Sequence, residues 1–226
     1  MTLGTRDVQD PATVTVPVLP ASWALEGMSD VRITRPRHPN ATPPPSPWRR
    51  YVAVGDSFTE GLWDVPDQEP PAKTGFTDPT LVCRGWADLL AEGLARRSGG
   101  AEVQYANLAI RGRLLGPILD EQVPAALELG PDLVSVIGGG NDLLRPAADP
   151  DTLAAAVEET VARLRAAGVD VLLSTGIDTK DSPVIRRTRG RTAVLNAHLW
   201  TIARRHGAFV LDIWGMRSLQ DWRMWA

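Results

Sequence analysis

Tyr51-Val52-Ala53-Val54-Gly55-Asp56-Ser57-Phe58-Thr59-Glu60-Gly61 is the stretch that decides the fold. A short apolar run rich in strand-forming residues ends abruptly in a small, polar turn bracketed by glycines, as where a strand hands over to a helix. The same pattern of short β-branched runs returns at Glu102 to Ala106, Leu133 to Ile137, Val169 to Ser174 and Ala208 to Asp212. Helical spacing fills the intervals. Trp86, Leu89, Leu90 and Leu94 recur on one face until Arg96, Arg97 and Ser98-Gly99-Gly100 close a helix, since basic residues and glycine suit a helix C-terminus. Asp149-Pro150 pairs an N-cap with a first-turn proline, and Leu153, Val157, Val161 and Leu164 follow until Gly168. Leu195, Leu199 and Ile202 mark a last helix that stops at Gly207. Strands alternating with amphipathic helices build right-handed βαβ units, so the expected class is α/β with a five-stranded parallel sheet.

The chain has 226 residues, the size of one α/β domain. Residues 1–48 are rich in proline, poor in large apolar residues and without sustained periodicity, ending in Pro43-Pro44-Pro45-Ser46-Pro47. Such a segment buries too little surface to offset its ordering entropy. It is expected to be a largely disordered extension, with Thr13 to Val16 and Val31 to Thr34 as possible edge pieces. Residues 49–226 then form the domain. With 24 basic against 27 acidic residues the net charge is −3 and no basic run is present, which excludes an electrostatic case for nucleic acid or an anionic membrane. No apolar stretch reaches the roughly 18 residues of a membrane span, and no signal-peptide pattern opens the chain. Cys83 is the single cysteine, so an intrachain disulfide and a multi-cysteine zinc site are out. A cytoplasmic location is the expectation.

Three clusters follow apparent strands: Gly55 to Gly61, Asn107-Leu108-Ala109-Ile110-Arg111-Gly112, and Gly138-Gly139-Gly140-Asn141-Asp142. Parallel α/β sheets bind ligands at the carboxyl ends of their strands, where these loops converge. Ser57, on its tight turn, is a candidate nucleophile, although an N-cap serine would look the same. Gly112 can present a bare N–H, and Asn141 an uncharged amide donor; a loop glycine of positive φ and a helix-capping asparagine are the plainer readings. Jointly, Ser57 N–H, Gly112 N–H and the Asn141 amide are three donors of the kind a tetrahedral oxyanion needs. Asp56 and Asp142 are expected to organise their turns, and Gly140 to let backbone approach the crevice.

On these three blocks, from about Tyr51 to the C-terminus, the sequence resembles the SGNH hydrolase superfamily, also called GDSL-type lipases and esterases, in its flavodoxin-like bacterial branch. The resemblance implies a three-layer α/β/α sandwich, Ser57 as nucleophile, and Ser57 N–H, Gly112 N–H and Asn141 as oxyanion hole. It implies an acyl ester of small to medium size as substrate, and neither cofactor nor metal. The serine stands in Gly-Asp-Ser near the start of the domain, not at the centre of Gly-x-Ser-x-Gly, which separates this family from the α/β-hydrolases.

The family's base and orienting acid come from a late Asp-x-x-His, and none occurs in these 226 residues. The block would fall about where Arg223-Met224-Trp225-Ala226 stands, so a C-terminally incomplete domain is expected, through a frameshift or stop or as a pseudo-enzyme. His38 lies in the proline-rich extension, His198 in mid-helix and His206 in a last helical turn; the two helical histidines are expected on the side of the sheet away from Ser57. Asp212, ending the last strand, is expected to be structural. The alternative from a different class is a non-catalytic module binding an acyl or glycosyl ligand. A phosphate-binding enzyme ranks lower, since neither Gly-x-x-x-x-Gly-Lys-Ser/Thr nor Gly-x-Gly-x-x-Gly occurs. A metal enzyme ranks last, for want of ligand pairs.

Overall fold

The computed structural model describes residues 45–62, 84–183 and 185–221. Most of the N-terminal extension with His38, the segment carrying Trp63, Phe76 and Cys83, and the tryptophans Trp222 and Trp225 lie outside the described residues.

Five parallel strands form one sheet: β1 (Arg50–Val54), β2 (Gln104–Asn107), β3 (Leu133–Val136), β4 (Asp170–Ser174) and β5 (Phe209–Leu211), in the order β2-β1-β3-β4-β5. All five fall on the expected runs, with β2 starting two residues later at Gln104. Between them run α1 (Ser57–Glu60), α2 (Trp86–Arg96), α3 (Leu115–Pro117) continuing through a π-turn at Ile118–Gln122 into α4 (Val123–Glu128), α5 (Gly140–Leu143), α6 (Pro150–Ala166) and α7 (Arg189–His206). The chain leaves β1 first toward β2 and later returns to β3 on its other side. That reversal is the topological switch point, and it opens a crevice at the carboxyl end of β1.

Side chains alternate across the strands and so serve two cores. Val52, Val54, Val134, Val136, Val171 and Leu173 pack against α4, α6 and α7 through Val123, Ala126, Val157, Val161, Leu164, Leu195, Leu199 and Ile202. Tyr51, Ala53 and Leu133 face α2 through Ala87, Ala91 and Leu94. On that face the Tyr51 hydroxyl meets Ser135 Oγ at 2.8 Å, and its ring stacks on Tyr105 at 5.2 Å. Of the expected face of α2, Leu94 is buried and Trp86 and Leu90 pack beside it, but Leu89 is 41% exposed, and the small residues Ala87 and Ala91 complete the contact. Small residues let the helix lie close to a sheet already filled by two tyrosines.

Two helix ends read from sequence hold in detail. Asp149 caps α6 by accepting from Asp151 N and Thr152 N, and Gly207 closes α7 in the left-handed region. The helix between β2 and β3 has no counterpart among the expected elements. Its period is broken because Pro124 has no N–H to give the preceding turn; the ladder widens, and Val123 N reaches back to Ile118 O. Among the described residues no helix is long and apolar enough to cross a membrane.

Candidate active site

The turn after β1 is built by its glycines and its aspartate. A Cβ on Gly55 would stand 2.4 Å from Thr59 Oγ1 and 2.7 Å from Ile137 O, so only glycine lets β1 pass this closely between α1 and β3. Asp56 is the N-cap of α1, accepting from Phe58 N at 3.0 Å. Ser57 is therefore not the cap but the first helical residue, half-buried. Its N–H belongs to the donors that a helix leaves without an intrahelical partner. Gly61, at φ +83°, ends α1 after one turn by donating its N–H to Ser57 O.

Gln122 pins this turn from below. Its Oε1 accepts from Gly55 N at 2.8 Å and its Nε2 donates to Gly55 O at 3.0 Å, a closed amide pair inside the protein. The π-turn is what aims Gln122 there, one more case of such a bulge beside a site. A glutamine on the helix face otherwise made by Leu115, Ile118, Leu119, Val123 and Ala126 is the sequence signal that could have marked it.

The second and third loops are bonded to the first. Asn107 Nδ2 donates to Thr59 O at 2.9 Å while its Oδ1 accepts from Ala109 N at 3.1 Å. Arg111 makes a two-nitrogen ion pair with Glu60. Gly112 is exposed at φ +76°, with nothing within 4 Å of a Cβ placed there. Asn141 lies in the first turn of α5, whose N-cap is Gly139 and not Asn141 itself. Its Nδ2 donates to Arg113 O at 2.9 Å and, at 3.4 Å, to Asp56 Oδ2. One side chain thus touches the residue before Ser57 and the residue after Gly112. Asp142 accepts from Leu115 N at 2.9 Å, anchoring the start of α3, and Gly140 is exposed with open space around it.

Burial pushes the Asp56 carboxyl above its ordinary range, with the nearby Asp142 charge adding to the rise and the Phe58 N–H opposing it. A raised carboxyl pKa marks an environment short of water and of positive charge, in which hydrogen-bond donors act strongly.

The described histidines are elsewhere. His206, in the last turn of α7, bonds Glu158 at 2.9 Å at the edge where strands begin. His198 sits halfway along α7 and bonds Asp151 in the first turn of α6, at 2.6 Å, so it lies at mid-height of the helix layer and not at the strand-start edge. Asp212 accepts from Thr175 Oγ1 at 3.0 Å, and that oxygen in turn accepts from Ile213 N and Trp214 N, which makes Asp212 part of the turn after β5. Among the described residues no group of three or more histidine, cysteine, aspartate or glutamate side chains could hold a metal ion.

A profile of the GDSL-like lipase/acylhydrolase family matches residues 53–225. The chain belongs to this family. Membership places it in the hydrolase class, and the five-stranded parallel sheet with its helices is the family's fold. Solved structures agree on the fold. An α/β hydrolase enzyme from the metagenome of Lake Arreo, Spain, superposes with a TM-score of 0.58 at 19% identity, covering 79% of this chain and 82% of that one. The lipase/acylhydrolase from Enterococcus faecalis gives 0.55 at 21% identity, covering 74% and 76%. A variant of an acetyl-xylooligosaccharide esterase from Geobacillus gives 0.57 at 16% identity, covering 79% and 81%. No curated protein matches the chain.

Proposed function

We propose that this GDSL-family domain carries a serine esterase site acting on a small to medium acyl ester through an acyl-enzyme. The observation that supports it most is the Asn141 amide, bonded at once to Asp56 beside Ser57 and to Arg113 beside Gly112. Three loops from three adjacent strands are thereby bonded together beside the switch crevice, and each carries one of the proposed donors.

In this reading Ser57 Oγ attacks the ester carbonyl carbon, and the carbonyl oxygen takes up the negative charge. Ser57 N–H, Gly112 N–H and Asn141 Nδ2 receive it. Asn141 frees its proton by releasing the longer of its two bonds, that to Asp56, while the 2.9 Å bond to Arg113 keeps the amide aimed. The alcohol leaves, and water hydrolyses the acyl-Ser57 ester to return the enzyme.

A serine needs a base to lose its proton as it attacks. These 226 residues contain no Asp-x-x-His, and His198 and His206 are held by Asp151 and Glu158. Among the described residues no histidine stands beside Ser57, and with its donors alone the site is expected to reach about 10³ to 10⁴ over water by analogy with triad-stripped hydrolases. The same placement of the histidines favours a second reading, in which the crevice binds an acyl or glycosyl ligand without turnover.

Hydrolysis of p-nitrophenyl acetate by residues 1–226 beside the Ser57→Ala variant separates the two. A faster wild type, with both proteins equally folded by circular dichroism, supports an activated Ser57. Equal rates exclude the esterase reading and leave the binding module.

A further inference from the structure

The Glu60–Arg111 pair takes no part in the reaction described above, yet it joins two of the loops that reaction uses. Glu60 ends α1, three residues after Ser57, and Arg111 immediately precedes Gly112. Arg111 Nε donates to both Glu60 oxygens, at 3.1 and 3.0 Å, and Nη2 donates to Oε1 at 2.8 Å. The side chains are only 19% and 25% exposed. A guanidinium engaging a carboxylate through two nitrogens fixes orientation as well as distance, which a lysine cannot do.

Glu60 lies one turn from Ser57 and Arg111 lies next to Gly112. Glu60 N bonds Asp56 O at 2.9 Å, so Glu60 moves with the turn that carries Ser57. On the other side Arg113 N bonds Ile110 O at 3.3 Å, closing a turn with Arg111 and Gly112 at its centre. Gly112 itself is exposed, in the left-handed region, with open space where a side chain would be. Packing does not hold it. Its restraint comes from its neighbours: Arg113, whose carbonyl accepts from Asn141, on one side and the paired Arg111 side chain on the other.

We infer that Glu60 and Arg111 are positioning residues that set the Gly112 N–H against the Ser57 N–H, so that both donors reach one oxygen. The inference rests on the esterase reading of Ser57. Neither side chain is required to touch substrate; the pair acts through the two backbones it ties together.

The test compares Glu60→Gln, Arg111→Gln, Arg111→Lys and the reversal Glu60→Arg/Arg111→Glu with wild type, using the part of p-nitrophenyl acetate turnover that Ser57→Ala removes. A misaligned oxyanion donor weakens only the transition state. Each single variant, Arg111→Lys included, is expected to lose about tenfold or more in kcat, with KM changed less than about twofold and thermal unfolding near that of wild type. The reversal is expected to recover most of the loss. Unchanged kcat in the single variants, or a loss carried mainly by KM, overturns the inference; should the reversal not fold, Arg111→Lys decides it. If wild type and Ser57→Ala are indistinguishable, the esterase reading has failed by itself, and the clamp is judged from the ¹⁵N order parameter of the Gly112 amide. A fall from the rigid range near about 0.85 to below about 0.6 in Glu60→Gln and Arg111→Gln, with β3 amides unchanged, supports it. No change overturns it.

Discussion

The edge of the sheet where the strands end has two corners, and they are built on opposite principles. At the corner after β4 and β5 the charged groups and the Thr175 hydroxyl satisfy one another, and the buried Thr179 Oγ1 is left without a partner. Asp178 receives Arg189 Nε at 2.6 Å and Nη2 at 3.1 Å, the Arg189 guanidinium covers the Trp214 ring at 5.4 Å, and Thr175 Oγ1 accepts from two backbone N–H groups while donating to Asp212. At the corner after β1, β2 and β3 lie Ser57 at the first position of its helix, the exposed Gly112, and Asn141 with its longer bond, 3.4 Å, to the Asp56 carboxyl. A closed network contributes stability; an open set of aligned donors contributes affinity for a negative charge that is not yet there. The lesson is that in this fold the glycines and the carboxamide, more than the charged residues, distinguish the proposed reactive corner from the other.

The comparison breaks most sharply at Asn141. Asn141→Ala removes an amide aimed at the oxyanion while leaving the Asp178 corner untouched, and the Ser57-dependent turnover is expected to fall by about 10² to 10³. Steady-state kinetics with p-nitrophenyl acetate read it, and a loss under threefold would separate Asn141 from the chemistry. Next in size is Gln122→Leu, which strips Gly55 of its partner. Gly55 O retains Ile110 N at 3.1 Å, but the buried Gly55 N–H is orphaned. Leaving one such donor unmet costs about 1–3 kcal/mol, expected as a lower urea midpoint with unchanged slope.

What was legible in sequence follows the same division. The five strands, their parallel arrangement and the helices at 86–96, 150–166 and 189–206 could be read because burial there is periodic, and Val157, Val161 and Leu164 mark their face plainly. The helix between β2 and β3 was not read. Its period is interrupted at Ile118–Gln122, and Gln122 interrupts the apolar face because it serves Gly55. Within the site, Ser57, Gly112 and Asn141 were picked out as residue types able to donate, and the loops bearing them are bonded together. Which residue caps α1 was legible only in part. Asp56 and Ser57 are both good caps by propensity, and in the structure Asp56 takes the cap by accepting from Phe58 N. The Glu60–Arg111 pair stood inside two quoted clusters, but 51 residues separate its members, so only the pairing of β1 with β2 reveals it.

A smaller effect sharpens the contrast through pH. Burial raises the Asp56 carboxyl, so the folded state holds that proton more tightly than the unfolded chain does. Its contribution is present below the unfolded carboxylate range and is lost as pH rises through the higher folded value. Asp56→Asn keeps the cap on Phe58 N and has no proton to lose. The variant is therefore expected to gain stability relative to wild type between about pH 4 and pH 7, measured by urea unfolding at each pH. A gap that stays flat across that range would mean that the site is wet enough to ionise Asp56 at no cost.

Asp178 titrates in the opposite sense, and this is the smallest effect and the cleanest separation of the two corners. The Arg189 guanidinium holds its carboxyl below the ordinary range, helped by Lys180 N at 3.2 Å and opposed by burial. A depressed folded pKa stabilises above the unfolded carboxylate range and ceases to do so as pH falls through the folded value. Wild type should therefore exceed Asp178→Asn in stability at neutral pH, and the two should converge as the solution becomes acid. Arg189 is half exposed, so water screens the pair and the gap stays modest. Ester turnover by Asp178→Asn should match wild type at every pH where both are folded, because Asp178 is engaged by Arg189 and not by the proposed oxyanion donors. A rate that fell with Asp178→Asn while Asn141→Ala left it unchanged would exchange the roles of the two corners and move the search for the reacting group to the loop after β4.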